Sequence, residues 1–561
     1  MNNQLVSKDY VVFLLYLVLV GSYGYWIYKR RKMKEHDSKA FFLAEGTLTW
    51  YAIGASLIAS NISAEQFIGM SGNGFFVGIA VSAYEWIAAL ALIIIAVWFM
   101  PIYLKNKIYT MPQFLKTRYN ETVAMIMAIL WLFIYVFVNL TSILYLGAIA
   151  IRGLLPDNGT DYLHIVMIAL AVFAIFITLG GMKVIGFTDV IQVTVLIIGG
   201  LATSYFALDK VGGGAGAMHG FNTMVKEAPE HFHMIFSKPT AASSQLDIDK
   251  YLILPGILMY AAGQWIVNLN YWGCNQYITQ RALGANLNTA RTGLLFAALL
   301  KLIMPLIVML PGIAAYVLMK QGNLPSMENA NMDHAYSAVL GFLPAGLKGL
   351  SIAALTAAIV ASLAGKVNSI STIYTLDIYR KYINKEASEK RLVWTGRAVA
   401  ISAMIIAILF TWKDVLGISS AGGFTYIQKY TGFISPGVFA MFILGMFWKR
   451  TTGAAAIVGV ITGVVLCVFF NELAPSWIGH ETWLYTAYPN GHGGYEIPFL
   501  ICMGLAFFFT VAIMVLISLA GPKINPKAFE LDKTMFKLRP QTTALIVVIL
   551  LLLAALYVKF W

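Results

Sequence analysis

The stretch Gly54-Ala55-Ser56-Leu57-Ile58-Ala59-Ser60-Asn61-Ile62-Ser63-Ala64-Glu65-Gln66-Phe67 decides the fold class, because it combines the length of a membrane span with a polar centre. With its apolar flanks it is long enough to cross about 30 Å of hydrocarbon. Its central Ser, Asn, Glu and Gln side chains are costly to expose to lipid, and such groups usually face a cavity, an ion or a substrate. The pattern is typical of the interrupted helices with which secondary transporters bind ions and solutes. The alternative is that these groups only hold neighbouring helices together.

The composition indicates a polytopic membrane protein. Of the 561 residues 59% are hydrophobic and 12% are charged, whereas soluble domains average about 25% charged residues. The first apolar stretch, residues 11–28, is followed by a basic cluster and has no small-residue cleavage site, so we expect a first span rather than a signal peptide. All three cysteines lie in apolar segments, and their positions predict neither a disulfide framework nor a zinc site.

Hydropathy predicts about fourteen spans, at residues 9–28, 51–70, 77–104, 122–152, 163–180, 187–208, 251–275, 292–320, 342–380, 393–411, 424–448, 453–471, 497–521 and 541–560. If the N-terminus lies outside, the loops rich in Lys and Arg all fall inside, which is the positive-inside pattern. We therefore expect a multi-pass protein of the inner (plasma) membrane with both termini outside. The net charge of +13 then reflects topology, and nucleic acid is not expected as a partner.

A second interrupted span lies five spans after the first. It contains the helix breakers Pro255 and Gly256 and the amides Gln264, Asn268 and Asn270. Paired interruptions indicate an inverted-repeat transporter whose site lies at the repeat interface. The predicted organisation is an N-terminal extra helix and basic loop (1–50), a first five-helix repeat (51–210), an extracellular loop (211–250), a second repeat (251–450) and three extra helices (451–561).

Several polar motifs resemble those of the solute:sodium symporter family, over a region from about Phe42 to Arg450. They are Ala59-Ser60-Asn61-Ile62-Ser63-Ala64-Glu65-Gln66-Phe67-Ile68-Gly69, Tyr84-Glu85-Trp86, Val138-Asn139-Leu140-Thr141-Ser142, Thr188-Asp189-Val190-Ile191-Gln192, Asn275-Gln276-Tyr277 with Gln280-Arg281, Leu310-Pro311-Gly312-Ile313-Ala314-Ala315-Tyr316, and Tyr426-Ile427-Gln428. The resemblance implies an all-α membrane protein of the leucine-transporter type. That fold has ten core helices in two inverted repeats, here with one extra helix before them and three after.

A sugar needs several converging hydrogen-bond partners and an apolar surface. The polar groups inside the predicted spans are Gln66, Glu85, Asn268, Lys301 and Gln428, with Tyr271 beside Asn268. The resemblance implies that these residues bind the sugar, with Glu85 and Lys301 able to offset each other's charge. It further implies that Asn61 supports the sugar-binding residues and that Tyr271 forms the inner gate. The outer gate would be formed by Met70, Tyr84 and Phe424.

Alternative interpretations remain for two of these residues, and one position departs from the family. Lys301 could extend to the cytoplasmic edge, and Gln428 could simply hydrogen-bond a neighbouring helix. Where the family has a serine one turn after the Glu, this chain has Ala88. The loss of that hydroxyl leaves the choice of sugar open.

For the coupling ion, the resemblance implies a sodium site at Ala59, Ile62, Ala358, Ala361 and Ser362, with Asp189 nearby. Two adjacent family serines appear here as Ala361-Ser362, and Lys366 stands where the family is apolar, four residues after Ser362. An ammonium group there could pair with Asp189 and fill or repel the ion's place. We therefore expect weakened or absent sodium dependence, leaving a uniporter or a proton-coupled carrier. The alternative is that Lys366 reaches the cytoplasm.

The function that these features predict is transport of a neutral hexose, resembling galactose or glucose, by alternating access. The expected partners are this sugar, sodium and the bilayer. Myo-inositol is the nearest rival substrate, and Glu85 argues against a carboxylated solute. No nucleophile–base pair or metal motif suggests an enzyme, and a sugar sensor would need a signalling domain, which residues 451–561 do not suggest.

Overall fold

The polar-centred stretch folds as two helical pieces with a break between them. The first piece, Trp50–Asn61, begins where the Thr49 hydroxyl accepts a hydrogen bond from the Ala52 N–H. It ends because Ile62 adopts an extended conformation (φ −75°, ψ 114°). The second piece starts with the π-helical segment Glu65–Met70. The predicted interruption is therefore present, at Ile62 and the residues that follow it.

The computed structural model describes residues 5–30, 41–42, 48–152, 155, 162–327, 332, 334–412, 423–491 and 493–561, and for Arg30 and residues 423–427 it describes the main chain only. The α-helices of the first half are α1 (Ser7–Arg30), α2 (Trp50–Asn61), α3 (Ser71–Phe76), α4 (Ala83–Ile94), α5 (Met100–Lys105), α6 (Met111–Arg118), α7 (Glu121–Ile134), α8 (Thr141–Arg152), α9 (Leu163–Thr178), α10 (Gly181–Val211), α11 (Ala217–Glu227) and α12 (Gln245–Ile253).

The α-helices of the second half are α13 (Leu258–Ala261), α14 (Gly263–Cys274), α15 (Gln276–Leu283), α16 (Leu287–Val308), α17 (Leu310–Lys320), α18 (Ala335–Leu340), α19 (Leu347–Thr372), α20 (Glu389–Thr411), α21 (Gly423–Gly432), α22 (Ser435–Phe447), α23 (Gly453–Val468), α24 (Ala474–Trp477), α25 (Phe499–Leu519) and α26 (Pro540–Phe560). Two short antiparallel strands, β1 (Tyr488–Pro489) and β2 (Tyr495–Glu496), form a hairpin.

Five π-helical segments occur in the described part of the chain, at Glu65–Met70, Ile95–Phe99, Tyr135–Leu140, Ile373–Ile383 and Phe469–Leu473. Three of them, the second, third and fifth, have α-helix directly before and after them. A π-turn is rare in proteins and is often found at a functional site.

Eleven helical spans in the described residues are long and apolar enough to cross a membrane. The pair Gln245–Ala261 and Gly263–Cys274, which is bent by 80° at the break, passes the same test when its two pieces are taken together as one span. The two other predicted spans, 51–70 and 163–180, correspond to the broken helix and to the 16-residue α9. Each of the roughly fourteen predicted spans thus has a helical counterpart, and the chain is an integral multi-pass membrane protein.

The described residues pack as two compact units. The first comprises residues 1–79, 128–232 and 276–426, and the second comprises residues 80–127, 233–275 and 427–561. Each unit takes segments from both predicted repeats, and the repeat bounds themselves stay a prediction.

In the first unit, α10 packs along α19, and α2 packs against both α10 and α16. Small residues allow this close approach. A Cβ atom on Gly200 of α10 would lie 2.1 Å from the Ile307 side chain of α16, and a Cβ atom on Gly199 would lie 2.8 Å from Ala354 of α19. The end of α2 in turn contacts α19, where the Ser362 hydroxyl donates to the Ser60 carbonyl.

In the second unit, α14 packs against α4 and α22. The end of α22 is held by Arg118, which is fully buried and donates to the carbonyls of Gly445 (2.6 Å), Trp448 (3.1 Å) and Thr451 (3.1 Å). The last carbonyls of a helix have no partner within that helix, and a guanidinium group carries enough donors to satisfy several of them. Arg118 therefore stabilises the C-terminal end of α22.

Candidate functional site

Asn61 and Lys301 meet at the break in the first interrupted helix. Asn61 is the last residue of α2 and is 6% exposed, and Lys301 lies in α16 and is 1% exposed. The Lys301 ammonium donates a hydrogen bond to the Asn61 side-chain carbonyl. Lys301 is thus directed into the protein, and the alternative in which it extends to the cytoplasmic edge is wrong.

Gln66 caps the helical piece that follows the break. Its side-chain oxygen accepts hydrogen bonds from the Ser63 N–H (3.0 Å) and from the Ser63 hydroxyl (3.1 Å). The first N–H groups of a helix have no partner within that helix, so this amide stabilises the restart of the chain as a helix. The Gln66 amide nitrogen is the part of this side chain that can donate to a ligand.

The remaining predicted sugar-binding residues lie in the second unit. Glu85 lies in the first turn of α4 and is 3% exposed, while Gln428 of α21 is half-buried. Asn268 of α14 is 6% exposed, and its amide donates to the Gln264 carbonyl at 2.9 Å. Tyr271 of α14 is half-buried, with its ring edge-on to Trp272. The predicted sugar residues therefore divide between the two units, and their convergence on one ligand stays a prediction.

The predicted outer gate is described in part. Met70 ends the first π-helical segment in the first unit and is fully buried, and Tyr84 of α4 in the second unit is 8% exposed. The side chain of Phe424 lies outside the described residues.

The predicted sodium-site residues lie in the first unit, at the end of α2 and in the middle of α19. The Ser362 hydroxyl donates to the Ser60 carbonyl at 3.1 Å and accepts from the Lys366 ammonium at 3.0 Å. Ala361 supplies no hydroxyl. The other residues of the predicted set are buried at the same place, namely Ala59, Ile62 and Ala358.

Asp189 of α10 is fully buried and accepts a hydrogen bond from the Ser56 hydroxyl. The Arg281 guanidinium lies 3.9 Å from the same carboxylate oxygen and also donates to Ser56 (2.7 Å) and to the Tyr277 carbonyl. The expected pairing of Lys366 with Asp189 is therefore wrong, because Asp189 faces Ser56 and Arg281.

Lys366 is 1% exposed, so the alternative in which it reaches the cytoplasm is also wrong. Its ammonium lies 4.7 Å from the centre of the Tyr277 ring, and Glu65 attracts it electrostatically. Sequence reasoning missed Arg281, Tyr277 and Glu65 as neighbours of this place. The signal was present, because all three lie in the motifs that carry the family resemblance.

The structure resembles a solved structure described as the substrate-bound outward-open state of a Na⁺-coupled sialic acid symporter. The TM-score is 0.76 at 21% sequence identity, over 93% of this chain and 99% of that chain. At this identity the likeness shows the fold alone. The leucine-transporter type of fold that the sequence predicts is confirmed.

The family model described as "Sodium:solute symporter family" matches residues 41–463. The chain is 40% identical, over 570 aligned residues, to a Vibrio parahaemolyticus protein named sodium/glucose cotransporter, covering 99% of this chain and 98% of that protein. It is 35% identical over 490 residues to human sodium/myo-inositol cotransporter 2, covering 83% of this chain and 70% of that protein. The chain therefore belongs to the sodium:solute symporter family.

Proposed function

We propose that this chain carries a neutral sugar of hexose size through the membrane by alternating access. The observation that carries the proposal is the pair of interrupted helices, each with buried amide side chains near its break. Asn61 and Gln66 lie at the first break, and Asn268 lies on the helix after the second. In secondary transporters such half-helices form the substrate site near the middle of the membrane.

The proposed binding groups suit a polyhydroxylated solute. Amide, carboxylate and ammonium groups together offer both donors and acceptors, which a sugar hydroxyl can use at once. In this proposal Gln66, Glu85, Asn268, Lys301 and Gln428 hold hydroxyl groups, and Tyr271 covers the apolar face of the ring. The name of the Vibrio relative supports glucose, one of the two predicted hexoses, as the substrate.

Myo-inositol is the second candidate substrate. It is also a ring of hydroxyl groups, and the human relative with 35% identity is named for it. Ala88 supplies no hydroxyl at a place where the family has a serine, so the two solutes have to be compared directly. In either case we propose a transporter of the inner membrane rather than an enzyme, with both termini outside.

The coupling ion of the family is sodium, so the first possibility for this chain is symport of sodium with the sugar. The alternative is a sodium-independent or proton-coupled carrier, which the Ala361 and Lys366 substitutions favour.

The test is binding and uptake of a labelled panel of galactose, glucose and myo-inositol by the purified protein in proteoliposomes. Gln66→Ala and Gln428→Ala should each weaken binding of the transported sugar, because an unpaired buried polar group costs about 1–3 kcal/mol, or about 5- to 150-fold in affinity. Recovery of unchanged sugar from inside the vesicles separates transport from enzymatic conversion.

Gln113→Ala is the matched control, because Gln113 lies in α6, outside the predicted site, and its side chain only bonds the nearby main chain. Gln66→Ala also removes the cap on Ser63, so the folding of each variant is checked by size-exclusion chromatography. Unchanged hexose and inositol binding in both Gln66→Ala and Gln428→Ala would place the site elsewhere.

A further inference from the structure

We propose that Lys366 is the resident cation of the predicted sodium site, so that this chain transports its solute without binding sodium there. The inference rests on the proposed function, since it concerns the ion that would drive the same carrier. It starts from the only hydroxyl group in the predicted set of ion ligands, that of Ser362.

The Ser362 hydroxyl already donates one hydrogen bond and accepts another. Its proton is donated to the Ser60 carbonyl, and its oxygen faces the Lys366 ammonium at 3.0 Å. A hydroxyl oxygen has a second lone pair, but a sodium ion bound to it would lie directly beside the ammonium group that uses the first. The neighbouring position, Ala361, offers no replacement. The side chains present therefore do not fit a sodium ion.

The ammonium group is held in place from several directions. It is 1% exposed, and it lies 4.7 Å from the centre of the Tyr277 ring, within the range of a cation–π contact. Glu65, at the start of the helical piece after the break, is 9% exposed and attracts the same group. A buried ammonium is costly unless it is paired, and Ser362, Tyr277 and Glu65 offset part of that cost. The Lys366 ammonium thus has a defined seat between Ser362 of its own helix and Tyr277 of α15.

A second basic side chain lies close to this seat. Among the described residues, Lys366 interacts electrostatically with Glu65 and with Arg281, and Arg281 lies 3.9 Å from the Asp189 carboxylate. Gly365 allows the guanidinium to lie directly against α19, since a Cβ atom there would be 2.4 Å from its Nη2 atom. A sodium ion at this place would add a positive charge beside a fixed ammonium, and like charges repel strongly where water is excluded.

The experiment measures both transport and ion binding. Exchange of the labelled hexose or inositol in proteoliposomes is compared in sodium chloride and choline chloride, and equilibrium binding of radioactive sodium is measured on the purified protein. For the unmodified protein we expect equal sugar exchange in the two salts. We also expect its sodium binding to be the same as that of the Ser362→Ala variant.

The double variant Lys366→Met with Ala361→Ser removes the ammonium and restores the missing hydroxyl. We expect sodium to stimulate its exchange by about 5- to 150-fold, the range of ordinary coupling between two ligands, and Ser362→Ala to remove that response. Lys366→Arg keeps the cation and should stay insensitive to sodium. Lys348→Met, at a half-buried lysine of the same helix, is the matched control and should behave as the unmodified protein does.

Two results would overturn the inference. One is sodium-stimulated exchange by the unmodified protein, and the other is saturable sodium binding to it that Ser362→Ala abolishes. Both use the unmodified protein or the mild Ser362→Ala change, so they remain informative if the double variant does not fold. A protein that exchanges no sugar in either salt contradicts the proposed function instead, and the sodium-binding measurement still decides the role of Lys366.

Discussion

Tyr271 is the residue on which the proposed inner gate depends. It is half-buried, and its ring meets Trp272 edge-on with the ring centres 5.2 Å apart. An aromatic ring can cover the apolar face of a sugar while its hydroxyl group stays hydrogen-bonded. We expect Tyr271→Ala to lose saturable uptake while the protein still folds, and Tyr271→Phe to retain most of it because the ring remains. The measurement is the concentration dependence of uptake in proteoliposomes, and ordinary kinetics in Tyr271→Ala would exclude this residue from the gate.

For single residues, the sequence predicts which side chains belong to the candidate site better than it predicts which atoms they contact. Lys366 is conspicuous as a charge in an apolar span, and its four-residue spacing from Ser362 is visible in the sequence, but its contact with Tyr277 is to another helix. The polarity of Gln66 is equally plain, but its bond to Ser63 depends on where the helix breaks. Which atoms a side chain contacts on another helix, or at a helix break, depends on the path of the main chain. Composition and residue spacing do not specify that path.

The helices α17 and α3 cross so closely that a glycine is required at the contact. A Cβ atom on Gly312 would lie 1.8 Å from the Ser71 carbonyl oxygen, a main-chain atom that cannot simply turn away. Replacing a helical glycine by alanine normally stabilises a helix by about 0.5–1 kcal/mol. We expect the opposite sign for Gly312→Ala, a loss of about 1–3 kcal/mol from overpacking, measured as a lower thermal midpoint of the purified protein.

Gly21→Ala in α1 is the matched control for that variant, because a Cβ atom there meets nothing within 4 Å. Its thermal midpoint should not fall. Equal midpoints for the two variants would mean that α17 can move away from α3 without loss of stability.

The spans themselves are predictable because a helix in lipid has to be both long and apolar. Their internal irregularities are predicted less well. The segment Ile95–Phe99 is π-helical although it contains no glycine, proline or polar residue that would mark it. In contrast, the break near Ile62 is marked by the polar residues around it, and for this reason the sequence predicts it.

The distribution of Lys and Arg residues predicts the orientation of the whole molecule in the membrane, and this prediction can be tested directly. The three native cysteines are buried, so a single introduced cysteine should dominate labelling. We expect Val6→Cys and Trp561→Cys, both at exposed positions, to react with a membrane-impermeant maleimide added outside intact cells. Lys385→Cys, in a predicted inner loop and also exposed, should react only after the cells are permeabilised. The reverse labelling pattern would contradict the positive-inside assignment.

The π-helical segments bear on how such a molecule can move. Each π-turn holds one residue more than an α-turn, and in three of the five segments α-helix continues on both sides. If the π-turn shifts by one position along such a helix, the residue at that position rotates by about 100° about the helix axis. Both ends of the helix can stay in place during this shift. The direction of a side chain can thus change when a π-turn moves along its helix, although the helix itself neither tilts nor unfolds.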